Sequence, residues 1–113
     1  MTKIMKALSD ETRLSIVNLL RVESLCVCEI EAVLQNSQSN VSRHLAKLRE
    51  AEIIISDKRA QWVYYEINQE LLAAQPFLKT LVEVDLANNP RYQAEIAKLR
   101  QYRETNGVCQ PLP

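Results

Sequence analysis

The chain has 113 residues, of which 47% are hydrophobic and 25% charged, and 14 basic residues balance 14 acidic ones. This length suits one domain, the composition is that of an ordinary globular protein, and one Gly with four Pro exclude a flexible linker. We find no signal peptide and no apolar run long enough to span a bilayer, so we expect a cytoplasmic protein that does not enter membranes. A net charge of zero argues mildly against nucleic-acid binding, but residues 37–65 carry five basic against three acidic residues.

Four helices are predicted in the first half of the chain. Residues 1–8 have the spacing of a short amphipathic helix, and Ser9 is the expected N-cap of a second helix that runs to about Arg21. A third helix is predicted from about Val27 to Gln35. A fourth follows the Asn36-Ser37 turn and covers about residues 37–51. Helices three and four, joined by a tight polar turn, predict a helix-turn-helix.

The fourth helix is the expected recognition helix, since Val41, Leu45 and Leu48 define an inward face and leave polar residues outward. Gln and Asn can pair with adenine edges and Arg with guanine, whereas Lys suits phosphates, although a merely solvated helix face has a similar composition. The candidate DNA contacts on this helix are Gln38, Ser39, Asn40, Ser42, Arg43, His44 and Lys47.

Residues 53–67 change to the pattern of a β-hairpin, which predicts a wing. Residues 53–55 and 62–67 are rich in β-branched and aromatic side chains, and the charged segment 56–60 between them is the expected loop. Because this loop lacks Gly, a tight two-residue turn is not expected. Lys58 and Arg59 lie at the predicted tip, where they suit contact with phosphates.

Two further helices are predicted over about 76–104, since Pro76 and Pro90 suit first helical positions and Asn89 can cap the second helix. Their bounds are about 76–87 and 90–104, and a flexible tail is expected at 105–113. The last helix shows an apolar stripe formed by Tyr92, Ile96, Leu99 and Tyr102. Residues 1–8 show a second stripe, formed by Met1, Met5 and Leu8. A second copy of the chain is the economical cover for both, so we expect a homodimer.

The fold class that follows is mainly α with a β-hairpin wing. We expect a single winged helix-turn-helix domain over residues 1–113, with helical dimerisation elements at both termini.

Three cysteines, Cys26, Cys28 and Cys109, form the candidate site for a metal. In a cytosolic chain they are expected as thiols, and the alternatives are a buried apolar role for the first two and a solvent-exposed terminal thiol for Cys109. Residues i and i+2 of a helix face apart, so Cys26 and Cys28 converge only if the chain there is extended or distorted. Zinc needs four ligands, whereas three thiolates suit As(III) or Sb(III), and Cd(II) or Pb(II) remain possible.

Four segments of the chain resemble the ArsR/SmtB family of winged-helix repressors, and Cys-Val-Cys resembles its arsenic-sensing branch. They are Lys6–Leu14, Leu25–Ile30, Ser37–Leu48 and Trp62–Tyr65. The resemblance implies a homodimeric repressor, not an enzyme, that leaves the double-stranded operator of a resistance operon when arsenite or antimonite binds at the start of the third helix. The further cysteine of the familiar arsenic motif is replaced here by Glu31, so only Cys26 and Cys28 carry over. Some members use cysteines near the C-terminus instead, which makes Cys109 the candidate third ligand.

Drawing Cys26 and Cys28 onto one ion is expected to distort the first turn of the third helix and so to shift the recognition helix. A redox-sensing repressor is an alternative, in which a disulfide would need Cys109 because a Cys-x-Cys bridge is geometrically awkward. A small thiol enzyme or metal carrier is a third reading. The absence of Cys-x-x-Cys, of a phosphate-binding Gly loop and of an acid–base pair argues against it.

Overall fold

The computed structural model of the chain describes residues 2–106. Seven α-helices, a π-helical turn and three strands make up this part of the chain. In chain order they are α1 (Thr2–Leu8), α2 (Glu11–Leu20), β1 (Leu25–Cys26), α3 (Val27–Leu34), α4 (Gln38–Glu50), β2 (Ile54–Arg59), β3 (Trp62–Ile67), α5 (Gln69–Ala74), α6 (Pro76–Thr80), the π-helical turn (Leu81–Asp85) and α7 (Pro90–Asn106). The mainly α fold with a β-hairpin wing is confirmed.

The core forms where α2, α3, α4 and α7 pack together. The inward face predicted for α4 is confirmed, since its three apolar residues Val41, Leu45 and Leu48 are buried. The predicted cap of α2 is wrong by one residue. Asp10 takes the cap position and accepts a hydrogen bond from the Arg13 backbone N at 3.0 Å, while the Ser9 hydroxyl donates to the Lys6 carbonyl. A carboxylate is a strong cap because its negative charge also interacts favourably with the positive end of the helix dipole.

The sheet has three antiparallel strands in the order β1-β3-β2, one more than the predicted hairpin. The added strand is β1, whose two residues pair with the centre of β3, Leu25 with Tyr65 and Cys26 with Tyr64. A two-residue strand is too short to show an alternating pattern in sequence. Its pairing holds the backbone of Cys26 in an extended conformation at the start of α3.

The wing turn is tighter than predicted. The segment expected as a loop is mostly strand, since β2 continues to Arg59, which pairs with Trp62 on β3. Only two residues connect the strands, and Ala60 adopts a φ of 57° in the left-handed region. The absence of Gly therefore did not prevent a two-residue turn, because Ala accepts the left-handed conformation at a moderate energetic cost.

The C-terminal third departs from the two predicted helices. An unpredicted helix, α5, precedes α6, and the helix expected to run from 76 to 87 continues beyond Thr80 as the π-helical turn. The start of α7 at Pro90 agrees with the prediction, and the Asn89 side chain accepts a hydrogen bond from the Arg91 backbone N at 2.9 Å. None of the helices within residues 2–106 is both long and apolar enough to cross a bilayer.

Three of the four residues of the predicted α7 stripe are buried by the same chain, and the fourth, Tyr102, is half-buried. Tyr92, Ile96 and Leu99 are buried within the protomer, where α7 packs on α2 and α3. The stripe predicted for the N-terminus is also placed differently, since Ile4 and Ala7 face the core while Met5 stays 54% exposed. The argument for a dimer from an uncovered α7 stripe is therefore wrong.

Candidate DNA-contact surface and thiol site

The exposed face of α4 is organised by its first turn. Ser37 is the N-cap, and its hydroxyl accepts a hydrogen bond from the Asn40 backbone N at 3.2 Å. The Asn40 amide donates to the Asn36 side chain at 3.0 Å, and the Arg43 guanidinium donates to Asn40 at 3.3 Å. Six of the predicted contacts share this exposed face, Gln38, Ser39, Asn40, Ser42, Arg43 and Lys47.

His44 does not belong to this surface, and its predicted outward position is wrong. Its side chain is buried, 6% exposed, and its Nδ1 lies 3.1 Å from Arg13 Nη1 and 3.9 Å from Asp10 Oδ1. A guanidinium can only donate, so His44 Nδ1 is the acceptor. Burial lowers the pKa of His44, and Arg43 and Arg13 act in the same direction against the opposing effect of Asp10. His44 therefore anchors α4 to the start of α2.

The two basic residues of the wing are both exposed, but their charges are differently balanced. Arg59 pairs with Asp57 at 3.0 Å and with Glu66 at 4.0 Å, and its guanidinium lies 4.8 Å from the centre of the Tyr64 ring. Lys58 precedes it on β2 and is exposed as well. Arg59 must exchange its carboxylate partners to reach a phosphate, whereas Lys58 is a solvated point charge at the same tip.

The two neighbouring cysteines converge at the junction of β1 and α3. Cys26 is the N-cap of α3 with φ −93° and ψ 169°, and Cys28 lies in the first turn of the helix. Their Sγ atoms are 3.1 Å apart. Cys26 is 2% exposed and Cys28 is half-buried, so the pair has an inner and an outer sulfur. The extended backbone that the sequence required for convergence is therefore present, and it is supplied by the pairing of β1 with β3.

A buried carboxylate from the same helical turn adjoins the inner sulfur. Glu29 is 0% exposed, and its Oε1 accepts hydrogen bonds from the Cys26 backbone N at 3.2 Å and from Cys26 Sγ at 3.5 Å. Its Oε2 lies 2.8 Å from Nε of Arg103 on α7, an ion pair whose N–H is not aligned as a hydrogen bond. Arg103 Nη1 also lies 3.2 Å from Glu23 Oε2.

Two thiol sulfurs, those of Cys26 and Cys28, lie together at this junction. Within residues 2–106, His, Cys, Asp and Glu side chains form no group of three arranged to hold an ion. Cys109, the predicted third ligand, lies outside the described residues. The donor set at Cys26 and Cys28 suits thiophilic ions and not the oxygen-seeking Mg²⁺ or Ca²⁺.

Glu29 and Arg103 are absent from the residues predicted by sequence. The spacing from Cys26 to Glu29 is that of a capping box, in which a carboxylate three residues after the N-cap accepts a hydrogen bond from the N-cap backbone N. The contact of Glu29 with the Cys26 backbone could therefore have been predicted from the sequence. The role of Arg103 could not have been predicted, because Glu29 is distant in the sequence and only the packing of α7 on α3 brings the two residues together.

Comparison with known proteins agrees with this architecture. Residues 10–56 match the family model described as bacterial regulatory protein, arsR family. An arsenic resistance transcriptional regulator of Pseudomonas putida is 38% identical over 95 residues, which cover 83% of this chain and 80% of that protein. An arsenical resistance operon repressor of Escherichia coli is 43% identical over 72 residues, 63% of this chain and 62% of that repressor.

Solved structures show the same fold. HlyU from Vibrio cholerae is 36% identical and aligns with a TM-score of 0.60 over 71% of this chain and 88% of its own. HlyU from Vibrio vulnificus is 40% identical, with a TM-score of 0.58 over 71% of this chain and 84% of that one. The chain therefore belongs to the ArsR family of bacterial regulatory proteins and is a winged helix-turn-helix, DNA-binding transcriptional regulator.

Proposed function

We propose that this protein is a homodimeric repressor of an arsenic resistance operon, released from its operator when As(III) or Sb(III) binds Cys26, Cys28 and Cys109. The observation that carries the proposal is the 3.1 Å separation of Cys26 Sγ and Cys28 Sγ at the start of α3. It is supported by the names of two similar proteins, an arsenic resistance regulator and an arsenical resistance operon repressor.

The sulfur geometry suits one bridging soft ion. The observed separation is within reach of one ion, since two bonds of about 2.3 Å allow the sulfurs to lie up to about 4.6 Å apart. Arsenite reacts as As(OH)₃, and each thiol proton leaves with one hydroxide as water while an As–S bond forms. Three thiols thus give a neutral trithiolate and three waters. The half-buried Cys28 is the accessible point of entry.

Cys109 is the proposed third ligand because α7 ends beside the site. Arg103, in the last turns of α7, contacts Glu29 and the Ser24 carbonyl. Cys109 follows Asn106 by three residues, a length of chain that spans at most about 10 Å. Cys109 of the same protomer and Cys109 of the partner are the two candidate sources of this ligand.

The expected mechanism changes in one respect. The two sulfurs already lie together with α3 regular from Val27 onward, so closing them on an ion does not require that helix to unwind. Any displacement of α3 is then expected to come from binding of the third ligand and from the groups that contact Cys26 Sγ. Because α3 packs against α4, displacement there still reaches the recognition helix.

For DNA binding we assign two kinds of contact. Outward residues in the first two turns of α4 are proposed to read base edges in the major groove, namely Gln38, Ser39, Asn40, Ser42 and Arg43. Lys47, Lys58 and Arg59 are proposed to contact phosphates. In a homodimer the two recognition helices would enter successive major grooves about 34–36 Å apart. Exposed Met5 and Val84 are apolar residues available to a dimer interface.

Operator binding measured with and without arsenite tests the proposal. Arsenite is expected to release the wild type and to leave the affinity of a Cys26→Ser/Cys28→Ser variant unchanged. Release of both proteins would refute the site. X-ray absorption at the arsenic edge counts the sulfur ligands, and Cys109→Ser is expected to reduce three to two.

The same operator-binding assay distinguishes arsenite from Cd(II) as the inducer. A cadmium resistance regulatory protein homologue of Staphylococcus aureus is 38% identical over 60% of this chain, which makes Cd(II) the second candidate. Release by Cd(II) at lower concentration than by arsenite would reassign the inducer. Release by peroxide in the absence of any metal would favour a redox sensor.

A further inference from the structure

Arg103 ties the end of α7 to the segment that carries both thiols. Its guanidinium contacts three groups between residues 23 and 29: Glu29 Oε2 at 2.8 Å, Glu23 Oε2 at 3.2 Å and the Ser24 carbonyl at 3.5 Å. A planar guanidinium offers several donors in one fixed fork, so a single side chain can hold the segment before β1 and the start of α3 together.

Glu29 connects this arginine to the inner thiol. One carboxylate oxygen accepts from the backbone N and from the Sγ of Cys26, and the other faces Arg103. Because Glu29 is fully buried, water cannot replace either partner. Any change at Cys26 Sγ is therefore passed directly to a charged group that also holds α7.

We propose that the Glu29–Arg103 ion pair transmits occupancy of the thiol site to α7, with both residues acting as positioning residues and not as ligands. The inference rests on the proposed response to arsenite or antimonite and says how that signal leaves the site. When the ion takes the place of the proton on Cys26 Sγ, Glu29 loses the S–H donor at 3.5 Å. A buried carboxylate that loses a donor must find another or move, and Arg103 moves with it.

The N-terminal half of α7 is fixed to α2 by a separate set of contacts. The Asn18 amide donates to the Tyr92 carbonyl at 2.9 Å, and the Ser15 hydroxyl donates to Glu95 at 2.6 Å. The helix is thus attached firmly at one end, and at the other end through a pair that adjoins the sulfurs. Loss of the second attachment is expected to loosen the last turns of α7, and the altered helix passes the change to α2 through the contacts of Tyr92 and Glu95.

The continuation from α2 leads to the recognition helix. Arg13 of α2 donates to His44 of α4, and its Nε donates to the Ala7 carbonyl at the end of α1. The chain of hydrogen bonds and ion pairs therefore runs from Cys26 through Glu29 and Arg103 to α7, then through α2 to α4. Such a chain is a physical route for coupling only if removing a link alters the coupling.

The test uses a Glu29→Gln/Arg103→Gln variant of the full chain. Replacing both charges avoids the buried unpaired charge that a single substitution would leave, so this variant is expected to fold. Arsenite binding is titrated directly by the absorbance of the As–S bonds, and operator affinity is measured with and without saturating arsenite. We expect the variant to bind arsenite with the wild-type stoichiometry. We also expect the ratio of its two operator affinities to fall to less than a third of the wild-type ratio.

Arg100→Gln/Glu104→Gln makes the same charge changes at two exposed positions of α7 and is the matched control. This control is expected to keep the wild-type ratio of operator affinities. Arg103→Lys keeps the positive charge but lacks the planar guanidinium, and its ratio is expected to lie between those of the wild type and the Glu29→Gln/Arg103→Gln variant. A Glu29→Gln/Arg103→Gln variant that keeps the wild-type ratio would overturn the inference and leave the arsenic response standing. A wild type that binds no arsenite, or binds it without losing operator affinity, would overturn both.

The change in hydrogen exchange that arsenite causes is a readout that a purely structural role of the ion pair would not move. In the wild type, arsenite is expected to speed exchange of the amides in the last two turns of α7. In the double variant this exchange is expected to be fast already and unchanged by arsenite. Equal effects of arsenite on α7 in both proteins would contradict transmission through the ion pair.

Discussion

The recognition helix and the thiol junction, defined as Cys26, Cys28, Glu29 and Arg103, are built in opposite ways. The polar face of α4 is exposed, and its side chains contact neighbours three or four residues away. The thiol junction is largely buried and joins the start of α3 to the end of α7. We infer that the residues on the exposed face of α4 can be substituted with little effect on the fold, whereas the residues of the thiol junction contribute to its stability.

The largest expected effect separates these regions by stability. Arg103→Met removes the partner of a fully buried carboxylate, which is expected to lower the free energy of unfolding by about 3 kcal/mol. Urea denaturation of the wild type and the variant measures the difference. Arg100→Met removes an exposed charge from the same helix and is expected to change stability by less than about 0.5 kcal/mol. Equal stabilities for the two variants would mean that the junction is no more structural than the surface.

The second prediction concerns the recognition helix, where affinity should change and stability should not. Arg43→Ala is expected to lower operator affinity about tenfold or more, because a bidentate contact to a base edge discriminates by about 1–3 kcal/mol. Its free energy of unfolding is expected to stay within about 0.5 kcal/mol of the wild type, since Arg43 is exposed. Fluorescence anisotropy with operator and with unrelated duplex measures both affinities.

Lys47→Ala provides the contrast. A phosphate contact carries no sequence information, so this variant is expected to weaken both duplexes alike and to reduce the slope of log affinity against log salt by about 0.9. Lys98→Ala, on the exposed side of α7, is expected to leave affinity and slope unchanged. If Arg43→Ala weakened operator and unrelated DNA equally, the assignment of Arg43 to base reading would be wrong.

The same contrast explains what could be predicted from the sequence. The exposed face of α4 follows from helical spacing, because apolar residues at positions 41, 45 and 48 fix which side chains point outward. Convergence of Cys26 and Cys28 could be stated only as a condition, an extended backbone, which β1 then satisfies. These successes depend on neighbours in the sequence.

The failures depend on distant partners. His44 has the spacing of a side chain part-way round α4, and only its pairing with Arg13 and Asp10 turns it inward. The burial of the α7 stripe depends on α2 and α3, and the same packing brings Arg103 to Glu29. Periodicity identifies an apolar face but not the surface that covers it, and for α7 that surface belongs to α2 and α3 of the same chain.

The third prediction tests the buried side of α4 through pH. Because burial, Arg43 and Arg13 lower the pKa of His44 against the effect of Asp10, the folded state favours the neutral imidazole. The unfolded chain binds a proton near the ordinary pKa of 6.5, so this contribution to stability is complete above pH 6.5 and is lost as the pH falls below it. The loss from one group is at most about 1.4 kcal/mol per pH unit.

Urea denaturation between pH 7.5 and 5.5 measures this loss in the wild type and in His44→Asn. Asn keeps a hydrogen-bond acceptor of similar position but does not titrate, so the variant is expected to show the shallower dependence. Asp10 is the carboxylate coupled to His44, and its pKa is lowered from an ordinary value of 3.8, so it stays ionised throughout this pH range. Identical pH dependences would show that His44 does not take up the proton, and that the α2–α4 contact is no more sensitive to pH than the exposed face.

The smallest expected effect lies in the wing, where local strain and not a distant contact is tested. Ala60 has a φ of 57°, a conformation that costs an L-residue about 1–2 kcal/mol and glycine almost nothing. Part of that gain is offset because glycine makes the unfolded chain more flexible. Ala60→Gly is therefore expected to raise the free energy of unfolding by about 0.5–1 kcal/mol, measured by urea denaturation. Gln61→Gly, at a neighbouring position without positive φ, is expected to give no gain. A loss of stability on Ala60→Gly would show that the Ala60 methyl group packs in the turn, so that even the most exposed end of the DNA surface depends on contacts that local sequence does not reveal.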